Sequence, residues 1–218
     1  MKLLCATDLQ PRDAGVIGRA AWLARKLGGE LTVLHVVAPD EPRGLALDDT
    51  RRPVLIVRHP PEFEYGRVML ALDLSDESAA ALRLTESLAF AGEDIPFVVH
   101  AYHPPYEGML ASVGVGFDRL DTHAQAWRRD FATGVREFLR RHSQDPWRYR
   151  LIMAEDRPVP GILAVAGQTQ PDLLVLGARA QGPLLRTLLG SVGQEVAGAA
   201  DCDVLLVPSG LAQPKSAA

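Results

Sequence analysis

The sequence predicts an α/β protein: an open, twisted, five-stranded parallel sheet with helices on both faces, preceded by an incomplete copy of the same unit. Three observations lead there. Short apolar runs of strand type alternate with amphipathic runs of helical period, the pattern of parallel strands joined by crossover helices. The first part of the chain recurs farther on. Lastly, an apolar run stops on Gly177, and Gly190-Ser191 opens the helix that follows.

The repeat orders the elements. KLLCATDLQPRDA, from Lys2, aligns without a gap on RVMLALDLSDESA, from Arg67, and the same offset of 65 carries His35 onto His100 and Pro39 onto Pro104. Leu3–Ala6 and Val68–Leu72 read as buried strands, Ala14–Leu27 and Ser78–Phe90 as helices, Leu31–Val37 and Phe97–Tyr102 as second strands. Beyond the matching prolines the copies part. PVLIVR (Pro53–Arg58) resembles DVLLVP (Asp203–Pro208) at an offset of 150, so the first copy lacks about 85 residues that the second keeps. Those residues supply a long amphipathic helix (Asp121–Arg141), a strand (Trp147–Met153), a helix (Pro158–Gln168), a buried strand (Asp172–Leu176), a loop and a last helix (Ser191–Ala199). The reading is a truncated repeat over residues 1–58, a complete unit over 62–210 and a disordered tail over 211–218. Pro42–Arg52 and His59–Glu64, rich in proline and charge, are the linkers.

Composition narrows the function classes. The 218 residues are 47% hydrophobic and 23% charged, enough to bury a core, and the formal net charge of -4 argues against a polyanion partner. Arg128, Arg129, Arg136, Arg140 and Arg141 are interrupted by Asp130 and Glu137, which reads as a solvated helix face and not a nucleic-acid stripe. No apolar stretch approaches the ~20 residues of a membrane helix, and MKLLCATD is too short for a signal-peptide core. Cys5 and Cys202 form no metal or redox motif; two thiols in a reducing cytoplasm is the expectation.

In a doubly wound sheet, ligands bind beyond the carboxyl ends of the strands where the strand order reverses. Gly177 at a strand end lets a ligand approach the backbone, and a helix opening at Gly190-Ser191-Val192 offers unpaired N–H groups and a positive dipole end to phosphate. Ser191 is equally explained as a plain N-cap, and both glycines by turns that need positive φ. Asp73, at the end of the unit's first strand, is placed to accept hydrogen bonds from a ribose or an adenine amine. It is equally explained by an Asx-type turn with Ser75 as the helix cap.

VMLALDLSDES, PFVVHAYHP and the closing stretch from DRPVPG to DVLLVP together resemble a universal stress protein domain, a Rossmann-like fold. The most specific feature is the family's Gly, two residues, Gly, nine residues, Gly-Ser/Thr signature. The resemblance covers nearly all of 67–208 and, in truncated form, 1–58, so the chain looks like a tandem member with a cut-down first copy. It implies binding of ATP or another adenine nucleotide, with Mg2+ accompanying it, a role in stress response, and a homodimer formed through the last strand. Carried over position by position, it assigns Asp73, Leu176, Gly177, Gly190, Ser191 and Val192 to the ligand. Three site positions depart from the pattern: Ala180 replaces the second motif glycine, Ala71 a loop proline, and Ala101 a valine that packs on adenine, whose counterpart in the remnant is Val36. If position 180 needs a left-handed backbone, alanine costs about 1 kcal/mol, which weakens affinity several-fold without abolishing it. The remnant keeps Asp8 without a phosphate loop, so it binds no nucleotide by itself.

Enzymatic motifs are missing from the chain: no GxxxxGK[ST] loop, no serine elbow, no clustered Cys/His ligands. His100, His103, Arg179 and Arg186 fall near the crevice, but none reads as a persuasive general base. The expectation is a binding module, at most a slow ATPase, with a non-nucleotide-binding interaction scaffold as the alternative. The remnant cannot close a core alone. Its Pro53–Arg58 is expected to pair with Val204–Pro208, covering an exposed sheet edge, and its unfilled lobe to favour a second chain.

Overall fold

The computed structural model describes residues 2–7, 14–26, 28, 30–35, 53–58, 65–88, 95–103, 117–178 and 190–209. The N-terminal part contributes β1 (Lys2–Thr7), α1 (Ala14–Lys26), β2 (Glu30–His35) and β3 (Val54–Ile56). There follow β4 (Val68–Ala71), α2 (Asp76–Ser87), β5 (Phe97–Tyr102), α3 (Phe117–His142) and β6 (Arg150–Glu155). The chain ends with α4 (Pro158–Thr169), β7 (Leu173–Ala178), α5 (Gly190–Ala199) and β8 (Asp203–Pro208).

Two sheets form. β1 and β2 make a parallel pair, and a second sheet runs β3-β8-β7-β4-β5-β6. It therefore has six strands where the sequence predicts five, and it is mixed, because β3 joins β8 antiparallel. The remaining five strands are parallel. The ladder expected between Pro53–Arg58 and Val204–Pro208 is present within one chain: Val54 lies opposite Leu206, Leu55 opposite Leu205, Ile56 opposite Val204. The repeat shows in the registers as well. Leu4 lies opposite Thr32 in β1–β2, and Met69 opposite Phe97 in β4–β5, both partners displaced by 65.

Parallel strands covered on both faces read as continuous apolar runs, and here each run divides by alternation. Val68, Leu70, Val98, Leu173, Val175, Leu205 and Val207 pack with α2 and α3; Met69, Ala71, Val99, Leu174, Leu176, Val204 and Leu206 pack with α4 and α5. Leu23 of α1 enters the first of these clusters, and Trp22 meets the buried Tyr65 edge to face at 5.5 Å. The N-terminal part thus shares the core of the larger sheet through α1 as well as through β3.

Two element boundaries move. The strand expected at Trp147–Met153 runs from Arg150 to Glu155, because Pro146 opens a 3₁₀ turn over Pro146–Arg148 that leaves Trp147 81% exposed. A proline-led turn there lacks the strand geometry that an aromatic residue suggests in sequence. The helix expected from Ser78 begins at Asp76. Ser75 is its N-cap, with Oγ accepting the Ser78 N–H at 3.2 Å, and Asp76 and Glu77 sit at the positive end of the helix dipole.

Candidate functional site

Strand order fixes where a ligand would bind. From β4 the chain crosses to β5 and β6 on one side, then returns to β7 and β8 on the other, so the order reverses between β4 and β7. Ala71 lies opposite Leu176 there, and the chain leaves the sheet at Asp73 on one strand and beyond Ala178 on the other. Ala71 and Leu176 point to the α4/α5 face, where both are buried in the same cluster as Ala178.

The helix α5 packs over this face. It begins at Gly190, so Ser191 is the second helical residue and not the N-cap. Its backbone N–H is among the roughly four that a helix start leaves without an intrahelical acceptor, and its side chain is exposed. Val192 is half-buried against the α4/α5 cluster. Gly190 is helical, so no positive φ explains it. Ala180, Arg179 and Arg186, with the loop they belong to, lie outside the described residues, as do Asp8 and Val36.

Gly177 has a different reason from the one expected. Its φ is not in the left-handed region. A Cβ at this position would stand 2.6 Å from the Glu77 carbonyl carbon and 2.7 Å from the Ser78 nitrogen. The glycine lets the first turn of α2 seat on β7.

Asp73 is built into the same turn. Its Oδ1 accepts the Ser75 N–H at 3.1 Å, the Ser78 hydroxyl at 2.6 Å and the Ser75 hydroxyl, while its own N–H donates to Ser78 Oγ at 3.0 Å. The Asx-turn reading therefore holds, and the carboxylate stays exposed at the crevice. Between Asp73 and Ser75, Leu74 takes φ +63, a left-handed conformation disfavoured because it brings Cβ close to the following carbonyl oxygen, with its side chain near Gly134 of α3. Sequence reasoning missed Ser78, whose hydroxyl both accepts and donates in this turn. The signal was present as a second serine three residues after the cap.

At the end of β5, Ala101 and, on β6, Ala154 each have Cβ 3.3 Å from where a Cβ on Gly161 would sit. The alanine at 101 is thus matched to the close approach of α4, and a valine there would press on that helix. His100 faces the other way: it is buried, and Nδ1 donates to the Leu72 carbonyl at 2.7 Å, which fixes its tautomer and braces the end of β4. The Phe131 ring packs beside both His100 and Tyr102. Burial, then the hydrogen bond to Glu155, raises the Tyr102 phenol above its ordinary range. His103 is exposed. Among the described residues no group of three or more His, Cys, Asp or Glu side chains could hold a metal ion, so no residue is assigned to Mg2+. Among them, too, no helix is long and apolar enough to cross a membrane.

Comparison with known proteins adds to this geometry. The model of the universal stress protein family matches residues 1–58 and 64–208. A universal stress protein from Thermus aquaticus, encoded in the 3′ region of a QAH/OAS sulfhydrylase gene, is 32% identical over 145 residues, 66% of this chain and 98% of that protein. The structure resembles a universal stress protein from Archaeoglobus fulgidus with TM-score 0.57 and 16% identity, over 96% of this chain and 97% of that one. A protein of unknown function from Pseudomonas aeruginosa is similar over 95% of this chain and 82% of its own, with TM-score 0.51 and 17% identity.

Proposed function

The chain belongs to the universal stress protein family, and on that basis we propose that its C-terminal unit binds an adenine nucleotide weakly, as a stress-response module and not as an enzyme. The observation that carries this reading is the switch point itself. Ala71 and Leu176 lie side by side on the face covered by α5, whose first turn presents exposed Ser191 toward solvent. The residues fit the phosphate end of such a ligand: helix N–H groups and the Ser191 hydroxyl. Asp73 is assigned the sugar or the base, with Val192, Gly190 and the loop through Ala180 around the phosphates. ATP, or a shorter adenine nucleotide, is the ligand class.

The tandem reading belongs to the same proposal. It is supported by the common β1–β2 and β4–β5 registers at an offset of 65 and by the likeness of β3 to β8. On this reading residues 1–58 are a reduced first copy and 62–210 the complete one. The pairing of last strands that the family resemblance implies between chains is made here within one chain, by β3 on β8. This replaces the homodimer expected from sequence as our reading of assembly.

The test is direct. Heating the purified protein, removing the precipitate and analysing the supernatant is expected to release about one equivalent of adenine nucleotide, or, if the ligand is lost in purification, ATP with magnesium is expected to raise Tm. A ligand at one hundred times its Kd stabilises the native state by about 2.7 kcal/mol. Neither release nor a shift at millimolar ATP would favour the second reading, an interaction scaffold with a degenerate pocket. That alternative draws on one observation: Gly177 and the Asp73 Oδ1 atom are both used in seating and capping α2.

A further inference from the structure

The last helix needs support from outside itself. α5, GSVGQEVAGA, is ten residues long and three of them are glycine. So short a helix is marginal alone, and glycine inside a helix weakens it further. A cation near the last turn would offset the helix dipole, but α5 carries no basic residue there. The carbonyls of that turn lack partners within the helix. The Val196 carbonyl accepts the Ala200 N–H at 2.9 Å. The Ala197 carbonyl accepts from the guanidinium of Arg58, 139 residues away along the chain.

The cation therefore comes from the N-terminal part, which also fixes where it stands. Val54, Leu55 and Ile56 of β3 pair with Leu206, Leu205 and Val204, and two residues on the Arg58 N–H donates to Asp203 Oδ1 at 2.7 Å. Asp203 is buried and is held in turn: the Tyr65 hydroxyl donates to Oδ2 at 2.5 Å, and Arg19 of α1 lies 3.7 Å from the same oxygen. With its backbone pinned to β8, Arg58 has its side chain free to reach α5. The repeat shows that this arginine is particular to the first copy. At the offset of 150 that carries PVLIVR onto DVLLVP, Arg58 falls on Pro208, which has no hydrogen-bond donor. About 15 Å along the same helix lie Gly190, Ser191 and Val192, to which phosphate is assigned above. A rod this short, fastened at one end, fixes the direction of the amides at the other.

We propose that Arg58 is a positioning residue for the phosphate site: it holds the C-terminal end of α5 so that the amides of Gly190, Ser191 and Val192 keep one orientation. Residues 1–58, which have no phosphate loop of their own, thereby serve the site of the complete unit. The inference rests on the nucleotide reading above, and Arg58 acts through α5 without touching the ligand. Titration with ATP and magnesium, together with hydrogen exchange on the full chain well below its thermal transition, tests it. Arg58→Met keeps an apolar stem and removes the cation and its donors. It is expected to raise the ATP Kd several-fold and to quicken exchange of the α5 amides, leaving those of β7 and β8 unchanged. Arg58→Lys, which keeps the cation, is expected to recover most of both effects. A purely structural role would lower Tm without moving Kd in the folded range, so an unchanged Kd in Arg58→Met overturns the proposal. Unchanged α5 exchange, or a lysine that recovers neither effect, overturns it as well. A native protein that binds no ATP would instead sink the nucleotide reading. Exchange alone then decides whether Arg58 fastens α5: quickened in Arg58→Met it upholds the fastening, unchanged it refutes it.

Discussion

Gly177 shows how one residue can be legible in place while its packing role is not: the positive φ expected as one reason for it is absent. The sequence marks it as the end of a buried strand. Only the fold shows that the α2 backbone occupies the position of the missing Cβ. Gly177→Ala is therefore expected to cost about 1–3 kcal/mol through overpacking against backbone that cannot rotate away, read as a lower urea midpoint with unchanged slope. Retention of full stability would refute the packing account. Position 180 makes the converse prediction about affinity. If position 180 needs a left-handed backbone in the nucleotide complex, Ala180→Gly is expected to tighten ATP binding several-fold, by about 1 kcal/mol; calorimetric titration checks it. For Asp73 the Asx-type turn was legible in sequence, because a carboxylate at a strand end followed by serines can cap a turn.

At the scale of elements, the turn between β4 and α2 does most to hold the site in place. Ser75 caps the helix, Asp73 ties Ser75 and Ser78 together, and Gly177 receives the first turn of the helix. Ser75→Ala is expected to cost about 1 kcal/mol, the ordinary worth of an N-cap, seen as a lower Tm. Hydrogen exchange in α2 should quicken with it. No change in either would mean that the Asp73 carboxylate, and not the Ser75 hydroxyl, holds the start of α2. The alternation of apolar runs identified these strands and helices, and the cap signals fixed where α2 begins to within two residues. Trp147 misled because an aromatic beside strand-like residues looks buried, whereas Pro146 turns it outward into solvent.

Across the whole molecule, burial of weak acids sets the response to alkali. Burial, followed by the charge of Asp203, pushes the Cys202 thiol up to about 11 from an ordinary 9.0. Burial is also the largest cause raising Tyr65, beside Asp203, and Tyr149, beside Glu86. Each group holds its proton more tightly folded than unfolded. Their contribution is thus complete below the unfolded values and is lost as pH rises through the folded ones. Stability is expected to be level up to about pH 9 and to fall beyond it, checked by urea midpoints from pH 7 to 11. Native Cys202 is expected to resist iodoacetamide at pH 8 and to react once unfolded; rapid labelling of the native thiol would contradict its burial.

Period, punctuation and internal repetition determined the strand and helix sequence, the parallel core and the position of the crevice, because these depend on residues near one another along the chain. Likeness between PVLIVR and DVLLVP even foretold that β3 would meet β8. Tertiary structure alone decided that β3 adds a sixth, antiparallel strand, that α1 joins the common core, and that Asp203 gathers Arg58, Tyr65 and Arg19. It also decided that Gly177 serves a helix and that Ala101 serves Gly161. These contacts join residues far apart in sequence, and burial and steric fit between such residues exist only once the elements have packed.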